Sequence, residues 1–170
     1  MQHKVTGGEV RPAKRIFTVE EANRSLVLVR RVVGDVTSEY VRLLDLQEAL
    51  EAAEESGAAD QSESTRLELI RTAGRLRSYL EELDEIGVEL KDWSLGVVDF
   101  PCLAGGRQVL LCWQHGEDEV AHWHELDVDF GGRQPIKTLP KDGTYVGRAE
   151  APRRSARAPK ARRGKGAAGG

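Results

Sequence analysis

Between Leu90 and Ile136 the chain reads LKDWSLGVVDFPCLAGGRQVLLCWQHGEDEVAHWHELDVDFGGRQPI, a stretch holding all three Trp, both Cys and three of the four His. Asp99, Glu125 and Arg133 lie in it too. Side chains able to ligate a metal, move a proton or hold an anion are therefore concentrated in one segment. His122 and His124 stand two apart, which on a β-strand turns both to the same side. His-x-His pairs bind metals in this way, and Asp99 or Cys112 supplies a third ligand of a type that zinc accepts. The candidate metal set is His122, His124 and Asp99.

A second set of candidates follows from strand pairing. If the hairpin loops run 101–106 and 114–118, Phe100 pairs with Arg107 and Trp113 with Glu119. Asp99 then stands opposite Gln108, and Gln108 opposite His124, a polar row across three strands. A slip of one residue in either loop breaks this row. A neutral His124 would accept a proton or ligate a metal, with Asp99 orienting it. Glu125 points the other way on a regular strand and needs a bulge to join. Gly131-Gly132-Arg133 could hold an anion through backbone amides and the guanidinium; the plainer account is a glycine-rich turn with a surface Arg. The candidate ligand-binding residues are thus Asp99, Gln108, His124, Glu125 and Arg133. The competing account is a polar network that ties the strands together. Cys102 and Cys112 match no thiol motif and read as buried free cysteines. Neither phosphate-binding glycine loops nor a nucleophile elbow occurs. No motif names a cofactor, and enzymatic activity is left open.

The elements that must carry these residues are legible in the periodicity. Phe17 and Thr18 mark a boundary after a polar lead-in, residues 1–16. Thr18 with Glu21 predicts a capping box at a helix start. From Ala22, Leu26, Val29, Val33, Val36, Tyr40, Leu43, Gln47 and Leu50 follow a coiled-coil seam. Gly34 within it would permit a close crossing. The segment 55–62 breaks the pattern, and Leu69, Ala73, Leu76, Leu80 and Leu83 form the seam of a second helix. Gly87 suits a left-handed cap. The two helices should fold back about residues 58–59, bringing Ile86 near Arg31. That leaves the first turns of helix one, at Leu26, Val29 and Val33, without a partner from helix two. Either the following segment covers them or a second copy does. After Gly87 the period drops to two, predicting strands at 88–91, 96–100, 107–113 and 119–126. Alternation puts Val109, Leu111, Trp113, Ala121 and Trp123 toward the helices. Leu110, Cys112, Val120, His122 and His124 fall on the other face. The expected fold is α+β: a long antiparallel, coiled-coil-like helical hairpin followed by a small antiparallel β-meander, one domain over 17–136.

Residues 137–170 read as a linker and a disordered basic tail rich in Ala, Arg, Pro and Gly. The net charge of −3 conceals an asymmetry. From Arg148 onward eight basic residues face one acidic, +7; the rest of the chain carries 17 basic and 27 acidic residues, −10. Arg153, Arg154, Arg157, Lys160, Arg162, Arg163 and Lys165 are candidates for non-specific nucleic-acid contact, although no aromatic stands among them to stack bases. The N-terminal stretch has no apolar signal core, and no run approaches the ~20 apolar residues of a membrane span. Two Cys without a disulfide framework fit a reducing cytoplasm.

FTVEEAN at 17–23, GVELKDWSLGVVDFP at 87–101, VLLCWQHGE at 109–117, WHE at 123–125 and GRQPI at 132–136 together resemble the domain of unknown function 2203 family of bacterial and archaeal proteins. The resemblance implies the same hairpin-plus-strands fold and carries no established activity. Two functional readings lead: a cytoplasmic binding or scaffolding module, homo-oligomeric through the coiled coil and open to a protein partner, and a small-ligand or metal-binding protein. Nucleic-acid association through the tail is a third.

Overall fold

A computed structural model of the chain describes residues 15–141. Two helices, α1 (Val19–Glu55) and α2 (Ala59–Ile86), precede a five-stranded antiparallel sheet. Its strands are β1 (Glu89–Asp92), β2 (Val97–Ala104), β3 (Arg107–Gln114), β4 (His122–His124) and β5 (Gln134–Pro135), paired in chain order. The α+β architecture expected from periodicity is the one observed. No helix among the described residues is long and apolar enough to cross a membrane.

Local chemistry sets the helix ends. Thr18 and Glu21 form the reciprocal capping box: Glu21 N–H donates to Thr18 Oγ1 at 3.1 Å, and Thr18 N–H donates to Glu21 Oε2 at 2.9 Å, satisfying two free amides of the first turn. At the far end Gly57 (φ 71°) leaves the helical region. Its N–H donates to Glu54 O, and Ala58 N–H donates to Ala53 O. This double bond closes α1 and starts the turn into α2. Gly87 (φ 95°) closes α2 through the same pair of bonds, to Asp84 O and Leu83 O.

The helices pack antiparallel. Arg31–Glu82, Arg42–Glu68, Arg75–Glu39 and Arg66–Glu54 ion pairs bridge them. Arg31 thus meets Glu82, one turn before the expected Ile86. In α2 the buried seam runs through Ser62, Thr72, Leu76 and Leu83. Ala73, expected on it, is exposed, because the seam steps from Leu69 to Thr72 by three residues, not by four.

The overhang of α1 is covered by the sheet. Leu26, Val29 and Val33 are buried in one cluster with Phe100, Leu111, Trp113 and Trp123. Of the two ways the sequence left for covering this stripe, the chain's own meander is the one observed, and self-association through these turns loses its basis. Gly34 lies against His115, where a Cβ would stand 3.3 Å from Nε2. Asn23 Oδ1 accepts from Val120 N–H at 2.8 Å, and Arg30 donates to the Asp118 carbonyl at 2.8 Å. Gly96 (φ 65°) makes the closest approach: an added Cβ would stand 2.7 Å from Val33 Cγ1 and 2.8 Å from His115 Cβ. Left-handed backbone alone costs a side chain about 1–2 kcal/mol. Gly96→Ala should thus destabilise the fold by about 2 kcal/mol or more in urea unfolding; an unchanged midpoint would show that this turn does not rest on α1.

The sheet register differs from the expected one. β2 and β3 join through a two-residue turn, Gly105-Gly106 (φ 61° and 69°), so Ala104 pairs with Arg107 and Phe100 with Leu111. Two consecutive positive φ angles match the twist of a tight hairpin, and glycine supplies both without strain. The segment 101–106, read as a hairpin loop, is mostly strand. Proline is tolerated because its carbonyl side faces away from β3, where it accepts from Phe17 N–H at 2.7 Å; no bond to β3 is lost. On β3 and β4, Val109, Leu111, Trp113 and Trp123 face the helices as alternation requires. The fourth strand is shorter than expected. Before His122 the chain is irregular, which lets Val120 join the core while Ala121 stays partly exposed.

Candidate functional site

The face of the sheet turned away from the helices gathers the chemistry. Asp99 of β2 and Cys112 of β3 are register partners. His124 of β4 stands opposite Leu110, and its ring reaches diagonally to Asp99, with Nε2 3.2 Å from Oδ1. Asp99 and His124 are 1% and 4% exposed, and Cys112 is fully buried. One ligand atom from each of the three lies within 4.8 Å of the others. Polar groups this deep require partners, since an unpaired one costs about 1–3 kcal/mol.

The partners define the protonation. His124 Nδ1 lies 2.8 Å from the Glu125 carbonyl oxygen. A carbonyl only accepts, so Nδ1 carries a proton. Nε2 then points its remaining valence at the Asp99 carboxylate. Two lone pairs cannot bond; a proton or a cation has to lie between them. Burial pushes the Asp99 carboxyl above its ordinary value, and His124 opposes this. Burial, and then the Asp99 charge, push the Cys112 thiol up to about 12. Arg133, beside that thiol, works in the opposite direction. Cys102, on the helix side of β2, is free and buried, its thiol pushed to about 11 by burial alone.

Arg133 is drawn inward; its side chain is 20% exposed. It is therefore no surface residue of a glycine-rich turn. Its guanidinium lies 4.2 Å from the centre of the Phe130 ring, a cation–π distance. Nη1 is 2.8 Å from Glu117 Oε1. That is an ion pair by distance but lacks hydrogen-bond geometry, so Nη1 and His122 Nδ1 are buried atoms without a hydrogen-bond partner among the described residues. His122 is the register partner of Cys112, and its Nδ1 is 3.8 Å from Glu117 Oε1. Glu117 is itself anchored: Gln114 N–H donates to its Oε2 at 2.8 Å.

Of the residues singled out from sequence, Asp99 and His124 come together, and Arg133 joins them from beyond β4. Gln108 does not. It pairs with Leu103 near the hairpin tip and is exposed, because the tight turn shifts β3 by four residues relative to the expected pairing. Glu125 contributes only its carbonyl. Its carboxylate is held by Arg107 through Nε at 3.1 Å, and this bond keeps it below the usual carboxylate range. His122 lies to one side of the three converging ligand atoms, and Cys112 takes the place it had in the expected set. Alternation had already put Cys112 on this face. Glu117 was not foreseen, since a loop residue carries no periodic signal. The basic candidates between Arg153 and Lys165 lie outside the described residues.

The family described as uncharacterized conserved protein (DUF2203) matches residues 15–136, which span both helices and all five strands. No curated protein and no solved structure matches the chain.

Proposed function

The chain belongs to the DUF2203 family, and we propose that its sheet holds a divalent metal ion of the zinc class, ligated by Asp99, Cys112 and His124. The observation that carries this reading is the convergence of a carboxylate, a thiol and an imidazole within 4.8 Å, all buried. Ligands on a tetrahedral zinc stand about 3.3–3.8 Å apart; the His124–Asp99 separation of 3.2 Å is already close to that. The bond from His124 Nδ1 to a backbone carbonyl is the outer-shell contact typical of a metal-bound histidine, which fixes the ring and leaves Nε2 to ligate. A sulfur–nitrogen–oxygen donor set suits zinc and neighbouring transition metals, and does not suit calcium or magnesium, which take oxygen. The burial that raises the Cys112 thiol opposes ligation, and the ion has to overcome it by deprotonating the coordinating thiol itself. Two negative ligands and one neutral imidazole then balance the ion's charge.

A second reading rests on the arm of the hairpin beyond the sheet. Val41 and Leu44 on α1 and Leu67 and Ile70 on α2 are exposed, a surface suited to a scaffold that self-associates. Native mass spectrometry of the purified full chain after zinc loading tests both readings. One zinc per chain is the expected result. Metal-free chain after loading would remove the metal reading and leave Asp99 and His124 as a proton-sharing structural pair. A strict monomer at tens of micromolar would remove the second reading.

A further inference from the structure

Three protein ligands leave a zinc-class ion one open position. Resting on the metal reading above, we infer that this position takes an oxygen of a small oxyanion, a carboxylate or a phosphate, whose remaining charge is met by Arg133 with His122 beside it. Two buried nitrogens point to it. Arg133 Nη1 and His122 Nδ1 are both buried with no hydrogen-bond partner among the described residues, and both lie on the Cys112 side of the cluster. His122 is the cross-strand partner of Cys112, and the Arg133 side chain reaches the Cys112 thiol. A buried nitrogen without an aligned acceptor is costly, and the one carboxylate near both, Glu117, makes a hydrogen bond to neither.

The surroundings hold the guanidinium ready without saturating it. The Phe130 ring supports it at 4.2 Å. Glu117 is near enough to pair by charge, 2.8 Å from Nη1, but is pinned by the Gln114 amide and misaligned for a bond. The planar fork of arginine matches two oxygens of a carboxylate or phosphate. Metal and guanidinium on one anion form a clamp that neither makes alone. The ligand class is therefore a small molecule with a terminal carboxylate or phosphate.

The experiment uses full-length chain loaded with Co²⁺ to one equivalent, the stoichiometry checked first. Inorganic phosphate is titrated in one arm and acetate in the other, following the visible cobalt bands. A saturable change is expected with at least one of them, and the arm that saturates names the class. Arg133→Gln should weaken that binding about tenfold or more, as loss of a charge-assisted bond predicts, while cobalt remains bound one to one. Arg133→Lys should fall between the two and serves where the glutamine variant folds poorly. Cobalt bands that ignore both anions in the native sequence would overturn the inference and leave the metal site standing. So would equal titration of native and Arg133→Gln chains. Chain that takes up no cobalt fails the metal reading and this inference with it.

Discussion

Serine in place of Cys112 is expected to weaken Zn²⁺ binding at least about 100-fold. Loss of an outer-shell partner of a zinc ligand costs roughly 10–100-fold, so loss of a direct thiolate ligand should cost more. Serine replaces sulfur by a hydroxyl that does not ionise as a ligand at neutral pH, yet can donate to Asp99, the register partner whose carboxylate the Cys112 thiol faces. The fold should therefore survive, with stability changed by no more than about 1–2 kcal/mol. Competition against a chromophoric chelator reads the affinity, and thermal unfolding of metal-free protein reads the stability. Equal zinc affinity in native and variant chains would mean that Cys112 is no ligand. The same outcome with Cys102→Ser is the internal control, since Cys102 lies on the helix side of β2, away from the converging ligand atoms.

The second large effect lies on the other face. Trp113 is fully buried in the cluster that joins β3 to α1. Its Nε1–H donates to the Glu117 carbonyl at 3.0 Å, and its ring meets His115 edge to face at 6.0 Å. Trp113→Ala should cost about 3–5 kcal/mol. That is a large fraction of the 5–15 kcal/mol typical of a domain, so the variant should be partly unfolded at 37 °C. Trp113→Phe keeps most of the buried ring and loses the bond, and should cost roughly half as much. Urea unfolding followed by circular dichroism measures both. A loss under about 1 kcal/mol for the alanine variant would contradict the packing of β3 on α1. The effect also reaches the site: the released Glu117 is the residue paired with Arg133.

How much of this was legible in the chain follows from the range of each signal. The capping box at Thr18 and Glu21 acts over three residues. The left-handed cap at Gly87 is a property of one residue and its two bonds. The seam from Ala22 to Val36 and the alternation from Val109 to Trp113 are periodicities of single elements. All of these are local, and each is observed where the sequence put it. The sheet face that carries Cys112 and His124 belongs to the same class, because alternation alone separates it from the core face.

What joins one element to another was decided only in three dimensions. The β2–β3 pairing turned on whether 101–106 is a six-residue loop or strand closed by Gly105-Gly106. The Phe17 amide at the Pro101 carbonyl, on the side away from β3, makes proline acceptable inside the strand. That shift of four residues removes Gln108 from Asp99 and puts Cys112 there instead. The fate of the Leu26–Val33 stripe was likewise undecided in sequence, since an apolar stripe states that something must cover it but not what does. Arg133 and Glu117 are the extreme case. Both lie outside regular strands, where no period orients a side chain, and they meet only because the chain after β4 turns back to pair with it as β5. Side-chain direction within an element is a matter of backbone geometry a few residues long. Convergence across elements depends on turn lengths and on burial that the whole fold has to complete.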